Sequence, residues 1–581
     1  MSTRREFLKV GLLAGTGLVL PASAVRGTFG RASALRGTNG RPRAYPGSSL
    51  TRFIDPLPKP GVLAPVAFDG PVPVYAVSAS QFEQQLHSEL APTRVWGYAG
   101  SFPGPTIEAR RGEPLRVLWS NELGTGSHLL PVDRTLHGTS MDEPDRRMVT
   151  HLHGGVVPPE ADGFPEAWIV DGETADFLYP NVQRAATLWY HDHSLGITRL
   201  NVQAGMAAFY LLRDEEEDEL IAAGLPSGAY EIPIAIQDRS FRDDGSLDYP
   251  SEGISDVHPV WTPEFFGDVA VVNGVAFPVL EVEPRRYRLR LLNGCNARFL
   301  NLQLFVYADG GYHGNGPVPI MIGTDGGLLP APVSVSRDGG GRVPRRLLLA
   351  PAERADVIID FSAFAGQDLI LHNNATGPFS GTAPGNARPP RRRHGHPIGA
   401  ELSEIMLIRV GSRRVADPSI IPAVLSPSFG YLDPTSATIE RRITLDEVLD
   451  DSGAPLEALI NGAHWADPIT EHRILGTTEI WHLVNLTEDT HPIHLHLDHF
   501  QVLWRQGFDA SRYEGGRPIR WRGPRIPPAP EEAGWKDTVA AHPGEVTSII
   551  VRSESFTGVY PYHCHILEHE DNEMMRSFQV I

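Results

Sequence analysis

The chain has 581 residues, 41% of them apolar, with 58 Gly, 51 Pro and a formal net charge of −19. That length exceeds one ordinary domain and leaves room for three or four, and the Gly and Pro content suits turn-rich strands better than a helical bundle. The charge argues against nucleic acid as a partner, and the presence of only Cys295 and Cys564 excludes a disulfide framework, although one bond between them stays open.

At the N-terminus, Thr3-Arg4-Arg5-Glu6-Phe7-Leu8-Lys9 is a twin-arginine motif, followed by an apolar stretch from Val10 to Leu20 and the small-residue site Ala22-Ser23-Ala24. Residues 1–24 are read as a twin-arginine signal peptide, with an uncleaved anchor as the alternative. The apolar stretch is shorter than the ~20 residues that a bilayer span requires. The mature chain, at a charge of about −21 without Arg4, Arg5, Lys9 and Glu6, is expected to be exported to the periplasm, the cell surface or the medium, without a membrane span and as a monomer.

Three later segments repeat one pattern, an early Gly and then alternating apolar positions that end at an Asn: Tyr98-Ala99-Gly100 to Asn121, Asn273-Gly274 to Asn293, and Asn461-Gly462 to Asn485. A domain-sized repeat of half-buried strands, such as residues 114–119 and 286–291, predicts an all-β chain of three Greek-key β-sandwich domains. The expected boundaries are 45–213, 229–410 and 435–581. The acidic run 214–219 and the Pro/Ser-rich stretch 416–434 are read as solvated linkers.

Ten of the 23 histidines fall in four short motifs: His151-Leu152-His153, His191-Asp192-His193, His491-Pro492-Ile493-His494-Leu495-His496, and His563-Cys564-His565 followed by His569 and Met574. A lone His is usually structural, but this clustering points to metal. On a strand, residues two apart share a face. His563 and His565 therefore face one way and Cys564 the other, while His494 and His496 share a face that His491 does not. One side then collects His491, Cys564, His569 and Met574, a two-His, one-Cys, thioether set of the blue-copper kind, with Met575 as the competing thioether. The other side collects eight imidazoles, His151, His153, His191, His193, His494, His496, His563 and His565, more than a structural zinc site needs. Cys295 is read as a small buried residue.

These motifs resemble the multicopper oxidase family, with Tyr562 to Asp571 matching its signature, and residues 151–168, 189–201 and 534–537 are most similar to its branch of bacterial spore coat laccases, bilirubin oxidases and phenoxazinone synthases. The resemblance covers nearly the whole mature chain. It implies three cupredoxin-like domains with four copper ions: a type 1 copper on His491, Cys564, His569 and Met574; a type 2 copper on His151 and His494; and a type 3 pair on His153, His191 and His565 and on His193, His496 and His563. It further implies one-electron oxidation of phenolic, aromatic-amine or bilirubin-like donors at the His569 edge, coupled to reduction of O2 to water, with Glu570 and Asp162 as proton donors. For Asp162, simple orientation of a histidine is an equal reading. A cuprous-ion oxidase and a copper-free, non-enzymatic cupredoxin scaffold are the alternatives, although the chain has only eight Met and fills every ligand position. The basic run from Arg388 to His394, with Arg391, Arg392 and Arg393, is read as a solvated loop, or, as the resemblance to spore coat laccases implies for a segment near the substrate entrance, as a lid over His569 that would attract anionic donors.

Overall fold

The computed structural model describes residues 42–335, 347–381, 401–451 and 453–581. The signal peptide and the basic run 388–394 lie outside the described residues. Strands dominate, and they assemble into paired sheets that enclose three apolar cores. Between residues 67 and 213, a five-stranded and a four-stranded sheet bury Val77, Val117, Trp119, Tyr190 and Tyr210 between them. A seven- and a six-stranded sheet, mostly from residues 231–410, enclose Ile234, Leu291, Leu302, Val357 and Ile408. A six- and a five-stranded sheet from residues 437–580 enclose Leu445, Trp481, Leu495, Tyr562, Ile549 and Phe578. Paired sheets that enclose a common core are sandwich architecture, so the fold is all-β, as the strand pattern predicts, and cupredoxin-like, as the family resemblance implies.

The triplication has a structural cause at both ends of each repeat. Each sandwich pairs two of its strands in parallel: Val72–Gln84 with Leu115–Glu122, Glu231–Arg239 with Arg286–Asn293, and Ala437–Leu449 with Thr478–Asn485. Two-residue turns open the repeats, with Tyr98 facing Ser101, Val272 facing Val275 and Ile460 facing Ala463. Both central residues have positive φ in each, 50° and 73° at Ala99-Gly100, 48° and 81° at Asn273-Gly274, and 57° and 61° at Asn461-Gly462. That geometry favours Asn-Gly.

The closing asparagines do the same work three times. Asn121 donates to the carbonyls of Arg146 and Ile169 while accepting from Leu123 N; Asn293 donates to Arg298 and Leu349 while accepting from Cys295 N; Asn485 donates to Asp489 and Ala541 while accepting from Thr487 N. Each is a buried amide that satisfies the backbone where a strand gives way to a loop.

One expectation is corrected. The acidic run is no solvated linker: Asp214 accepts from Glu217 N and caps the helix Glu215–Ala223, and Glu217 is buried against Arg288 (2.7 Å), Arg290 and Arg213. Two of these guanidiniums, Arg288 and Arg290, lie more than 70 residues away in sequence, which local composition does not reveal. Both cysteines are free, and Cys295 is the small buried residue expected, with its thiol 3.7 Å from the Ile236 carbonyl. Among the described residues, no helix is long and apolar enough to cross a membrane.

Candidate metal centre

Strands from the first and third sandwiches bring the histidine motifs together. His151 and His153 lie on Thr150–His153, which pairs with Ala186–Asp192, the strand that carries His191 into the loop with His193. In the third sandwich His491–Leu495 pairs with Gly558–Cys564, setting Ile493 opposite Cys564 and His494 opposite His563. The alternation acts as anticipated. Cys564 packs with Ile493 and Leu495 inside the third sandwich, and the imidazoles of His494 and His563 turn outward, 5.4 Å apart between ring centroids, to meet the first sandwich. Across that junction His151 stacks on His496 at 3.8 Å and His153 on His494 at 3.7 Å.

In six of the eight rings, those of His151, His153, His191, His494, His496 and His563, the chain holds one nitrogen and turns the other inward. His151 Nδ1 donates to the Asp162 carbonyl (2.6 Å), His191 Nδ1 to the Asp192 carbonyl (2.8 Å), His494 Nδ1 to the Asp537 carbonyl (2.8 Å) and His563 Nδ1 to the Cys564 carbonyl (3.1 Å). His496 Nδ1 donates to Asp162 Oδ2 (2.8 Å), and His153 Nε2 to Asp537 Oδ1 (3.1 Å). A carbonyl or carboxylate accepts only, so these contacts fix the tautomers. The opposite nitrogens, His151 Nε2, His153 Nδ1, His191 Nε2 and His494 Nε2, are buried without a hydrogen-bond partner, as are both nitrogens of His565. His563 Nε2 lies 3.2 Å from both His193 Nε2 and His496 Nε2. Buried lone pairs aimed at one another are costly unless a cation joins them. The donor set therefore fits metal ions held by neutral imidazoles.

His193, His496 and His563 form one group whose ligand atoms all lie within 4.8 Å of one another, as do His491, Cys564 and His569. His565 joins no such trio but sits 5.0 Å from His153 and 5.3 Å from His191 between ring centroids. In the thiol group Cys564 Sγ is 3.6 Å from His491 Nδ1 and 3.8 Å from His569 Nδ1, and the two Nδ1 atoms are 3.3 Å apart. Thr487 Oγ1 donates to Asn485 Oδ1 and so accepts from His491 Nε2 (2.7 Å), which leaves the His491 Nδ1 lone pair facing the thiol. The asparagine that ends the repeat thus aims a ring at the cysteine. Met574 is fully buried in the core cluster of Cys564, whereas Met575 packs with Leu195 and Trp465. Of the thiol group, His569 alone retains some exposure, at 3%.

Burial shapes the electrostatics. It lowers the pKa of His491 to about 3 and of His193 and His563 to about 4, and it joins with the neighbouring rings to hold His151, His153, His191, His496 and His565 well below the usual range. Neutral imidazoles are the ligating form. Burial also pushes the Cys564 thiol up, against the Ile566 N–H that points at Sγ, so a cation must displace its proton to make the thiolate. These shifts set a pH dependence for the copper-free protein. Unfolded histidines bind protons near pH 6.5, whereas the folded ones resist protonation down to about 4. At these histidines the unfolded state binds more protons across that window, so they destabilise the copper-free protein as the pH falls from 6.5 to 4, while the buried carboxyls of Asp162, Asp192, Glu568 and Glu570, with raised pKa, work the other way. An NMR titration of the copper-free protein is expected to show these rings neutral down to about pH 4, and protonation near pH 6.5 would refute neutral burial.

Glu570 and Asp162 both reach the cluster. Glu570 Oε1 lies 3.4 Å from His193 Nδ1 and Oε2 3.1 Å from His563 Nδ1; burial raises its pKa against the pull of His193. Asp162 touches His151 through its carbonyl and His496 through its carboxylate, and burial holds its pKa well above the usual value. Asp192 turns its carboxylate away, toward Val149 N, Ser194 and Asn201.

Two residues of consequence lacked a role in the sequence. Asp537 bridges His153 and His494, and Arg354, from the middle sandwich, grips both Asp537 oxygens while donating to the carbonyls of Thr187, Ala352 and Asp325. Asp537 stood in a motif quoted only for its resemblance; Arg354 carried no local signal.

Sequence models of the multicopper oxidase family match residues 139–217 and 440–581. A laccase of Bacillus subtilis (strain 168) is 42% identical over 546 residues, covering 92% of this chain and 99% of that protein. The chain belongs to the multicopper oxidase family. A laccase of Haloferax volcanii is 37% identical over 599 residues, covering 100% of this oxidase and 91% of the relative. Among solved structures, the McoA multicopper oxidase of Aquifex aeolicus superposes with a TM-score of 0.69 at 27% identity, covering 91% of this chain and 100% of that one. The protein is therefore an oxidoreductase of a copper-binding family, and the buried, unpartnered imidazoles are the feature of this multicopper oxidase that suits the metal.

Proposed function

We propose that the enzyme is laccase-like: it oxidises phenolic, aromatic-amine or bilirubin-like donors one electron at a time and reduces O2 to water. The carrying observation is the set of inward imidazole nitrogens beside a separate thiol group. In this reading His491, Cys564, His569 and Met574 hold the type 1 copper; His151 and His494 hold type 2; and His153, His191 and His565, with His193, His496 and His563, hold the type 3 pair. Four copper ions per chain, when bound, supply one-electron redox chemistry at the first site and four-electron delivery to O2 at the others. The three sandwiches are taken as domains 45–213, 229–410 and 435–581, in a monomer exported through its twin-arginine signal.

The chain's own contribution is positional and protic. His569, the most exposed member of the thiol group, offers its ring edge to the donor. Cys564 joins the two sites covalently, since its backbone continues directly into His563 and His565. Water formation consumes protons, and Glu570, kept protonated more readily by burial, can release one from Oε1 or Oε2 beside the cluster. Asp162 orients His151 and His496 and can hold a second proton at Oδ1, the oxygen that His496 does not use. Thr487 and Asp537 keep the tautomers that leave lone pairs for metal.

Copper analysis and absorption spectroscopy test the reading: about four coppers per chain and an intense blue band are expected, and a folded protein that stays colourless and copper-free after purification from copper-supplemented cells would overturn it. Steady-state assays with a phenol, an aromatic amine, bilirubin and Cu(I) separate the donor classes. Efficient Cu(I) turnover with negligible phenol turnover would replace the aromatic donor with cuprous ion.

Glu570→Gln keeps size and hydrogen bonding but removes the ionisable carrier, so it is expected to slow reoxidation of the reduced enzyme by O2 roughly 100-fold or more with little effect on donor oxidation, in keeping with the usual worth of a general acid. Stopped-flow reoxidation measures it, and unaltered rates across pH would leave Glu570 an orienting residue. Met574→Leu removes a thioether that favours Cu(II), so the type 1 potential should rise while activity persists. A redox titration showing no change would exclude Met574 as the axial donor.

A further inference from the structure

The outer face of the third sandwich carries a groove of about 710 Å³ that the oxidase reaction does not use. Its floor is the side of the six-stranded sheet turned away from the core: along Thr478–Asn485, Trp481 and Leu483 point inward, while His482 points into the groove. The sheet and the core beneath it therefore stand between this groove and Cys564.

The groove combines aromatic surface with locally positive charge. Trp504 is held in place, with the Arg525 guanidinium 4.2 Å over its ring and His482 5.5 Å away at 37°. Trp521 stands nearly perpendicular to it, 5.9 Å between centroids at 77°, and is 43% exposed. Large exposed indoles carry a solvation cost, and here one lines a cavity. Glu440, the acid of this wall, accepts from His482 Nε2 at 3.2 Å, and because burial lowers the His482 pKa its negative charge stays and offsets one guanidinium. Arg442 donates to the Arg517 carbonyl (2.9 Å), and neither it nor Arg525 makes an ion pair with a described residue. Neighbouring Arg517 and Arg522 do pair, with Glu514 and Asp509. In a chain of net charge −19, two guanidiniums outside any described ion pair, set against the single carboxylate of Glu440, leave the groove locally positive beside two indoles.

The geometry points to a binding site on the outer face of the third sandwich for a multi-ring aromatic carboxylate, its rings against Trp521 and Trp504 and its carboxylate on Arg442 and Arg525. A planar π face suits indole stacking, guanidinium forks suit a carboxylate, and the volume lies in the range that encloses an organic molecule of several rings rather than a single ion. A neutral sugar would use the indoles but leave both guanidiniums unanswered. An inorganic anion would leave the indoles bare.

The probe is 2-naphthoate, titrated calorimetrically into the copper-loaded full chain. Saturable binding is expected, at least tenfold tighter than for 2-naphthalenemethanol, which lacks the charge, or for cyclohexanecarboxylate, which lacks the π face. Trp521→Ala should weaken it at least fivefold. Arg442→Gln with Arg525→Gln should do the same and remove most of its salt dependence, because exposed charges are screened beyond ~8 to 10 Å. Oxidase activity should be unchanged in all these variants, which also reports that they fold. A 6-bromo-2-naphthoate soak should place an anomalous bromine peak between Trp521 and Arg525. Affinity unaltered by both sets of substitutions would put the probe elsewhere, for instance beside His569, and overturn the assignment; so would equal affinity for the uncharged analogue, or tighter binding of a galacturonate disaccharide.

Discussion

A Cys564→Ser variant is expected to be colourless and inactive toward aromatic donors, yet to retain about three coppers per chain. The blue absorption requires a thiolate, and a serine oxygen is too hard a donor to replace it. The histidine cluster should survive because none of its rings is held by the thiol. His563 Nδ1 donates to the Cys564 carbonyl, which serine keeps. His565 N donates to the Pro492 carbonyl, and His494 is held by the Asp537 carbonyl. The side chain at 564 faces the core with Ile493 and Leu495, where serine leaves a small void. Absorption and metal analysis together decide it: intense blue colour in the variant would refute the thiolate assignment, and loss of all copper would show that the two sites do not form independently.

What the sequence made legible follows the period of the strand. A His-x-His motif places two rings on one face wherever a strand forms, so the split of His563 and His565 from Cys564 could be read from three residues, and the pairing of Gly558–Cys564 with His491–Leu495 realises it. The closing asparagines were equally visible, because each is spent on backbone groups within its own repeat, 2 to 56 residues away. Contacts made across sandwiches were not visible. Glu217 looked like part of a solvated acidic run because Arg288 and Arg290 lie far along the chain, on the strand Arg286–Asn293 of the middle sandwich. Met574 and Met575 are adjacent and chemically equal; only the packing of the first with Cys564 and of the second with Leu195 and Trp465 separates them. The middle sandwich, which has no histidine motif, looked detached from the metal until Arg354 was found under Asp537.

Arg354→Met is expected to destabilise the protein by about 3–5 kcal/mol and to deplete copper from the histidine cluster, leaving the type 1 site coloured. Asp537 is fully buried, and although burial alone would push its pKa up, the Arg354 guanidinium holds it well below the carboxylate range. Methionine fills most of the arginine's volume but supplies no charge, so the carboxylate would be left uncompensated, the costly way to break a buried pair. To lower that cost Asp537 would take up a proton, and its Oδ1 would then compete with His153 Nε2 for the hydrogen bond that leaves His153 Nδ1 bare. On the proposed copper assignment, the orientation of His153, there a type 3 ligand, would depend on an arginine in a sandwich that supplies no ligand. The type 1 site should be spared, since His491 is held by Thr487 and Cys564 by its own core. Asp537→Asn combined with Arg354→Met removes the buried charge and should recover much of the stability without restoring the copper, which separates the electrostatic cost from the positioning role. Denaturant unfolding of the copper-free variants and copper content of the loaded ones measure the two effects, and a single variant with unchanged stability and full copper occupancy would show that the middle sandwich does not support the cluster.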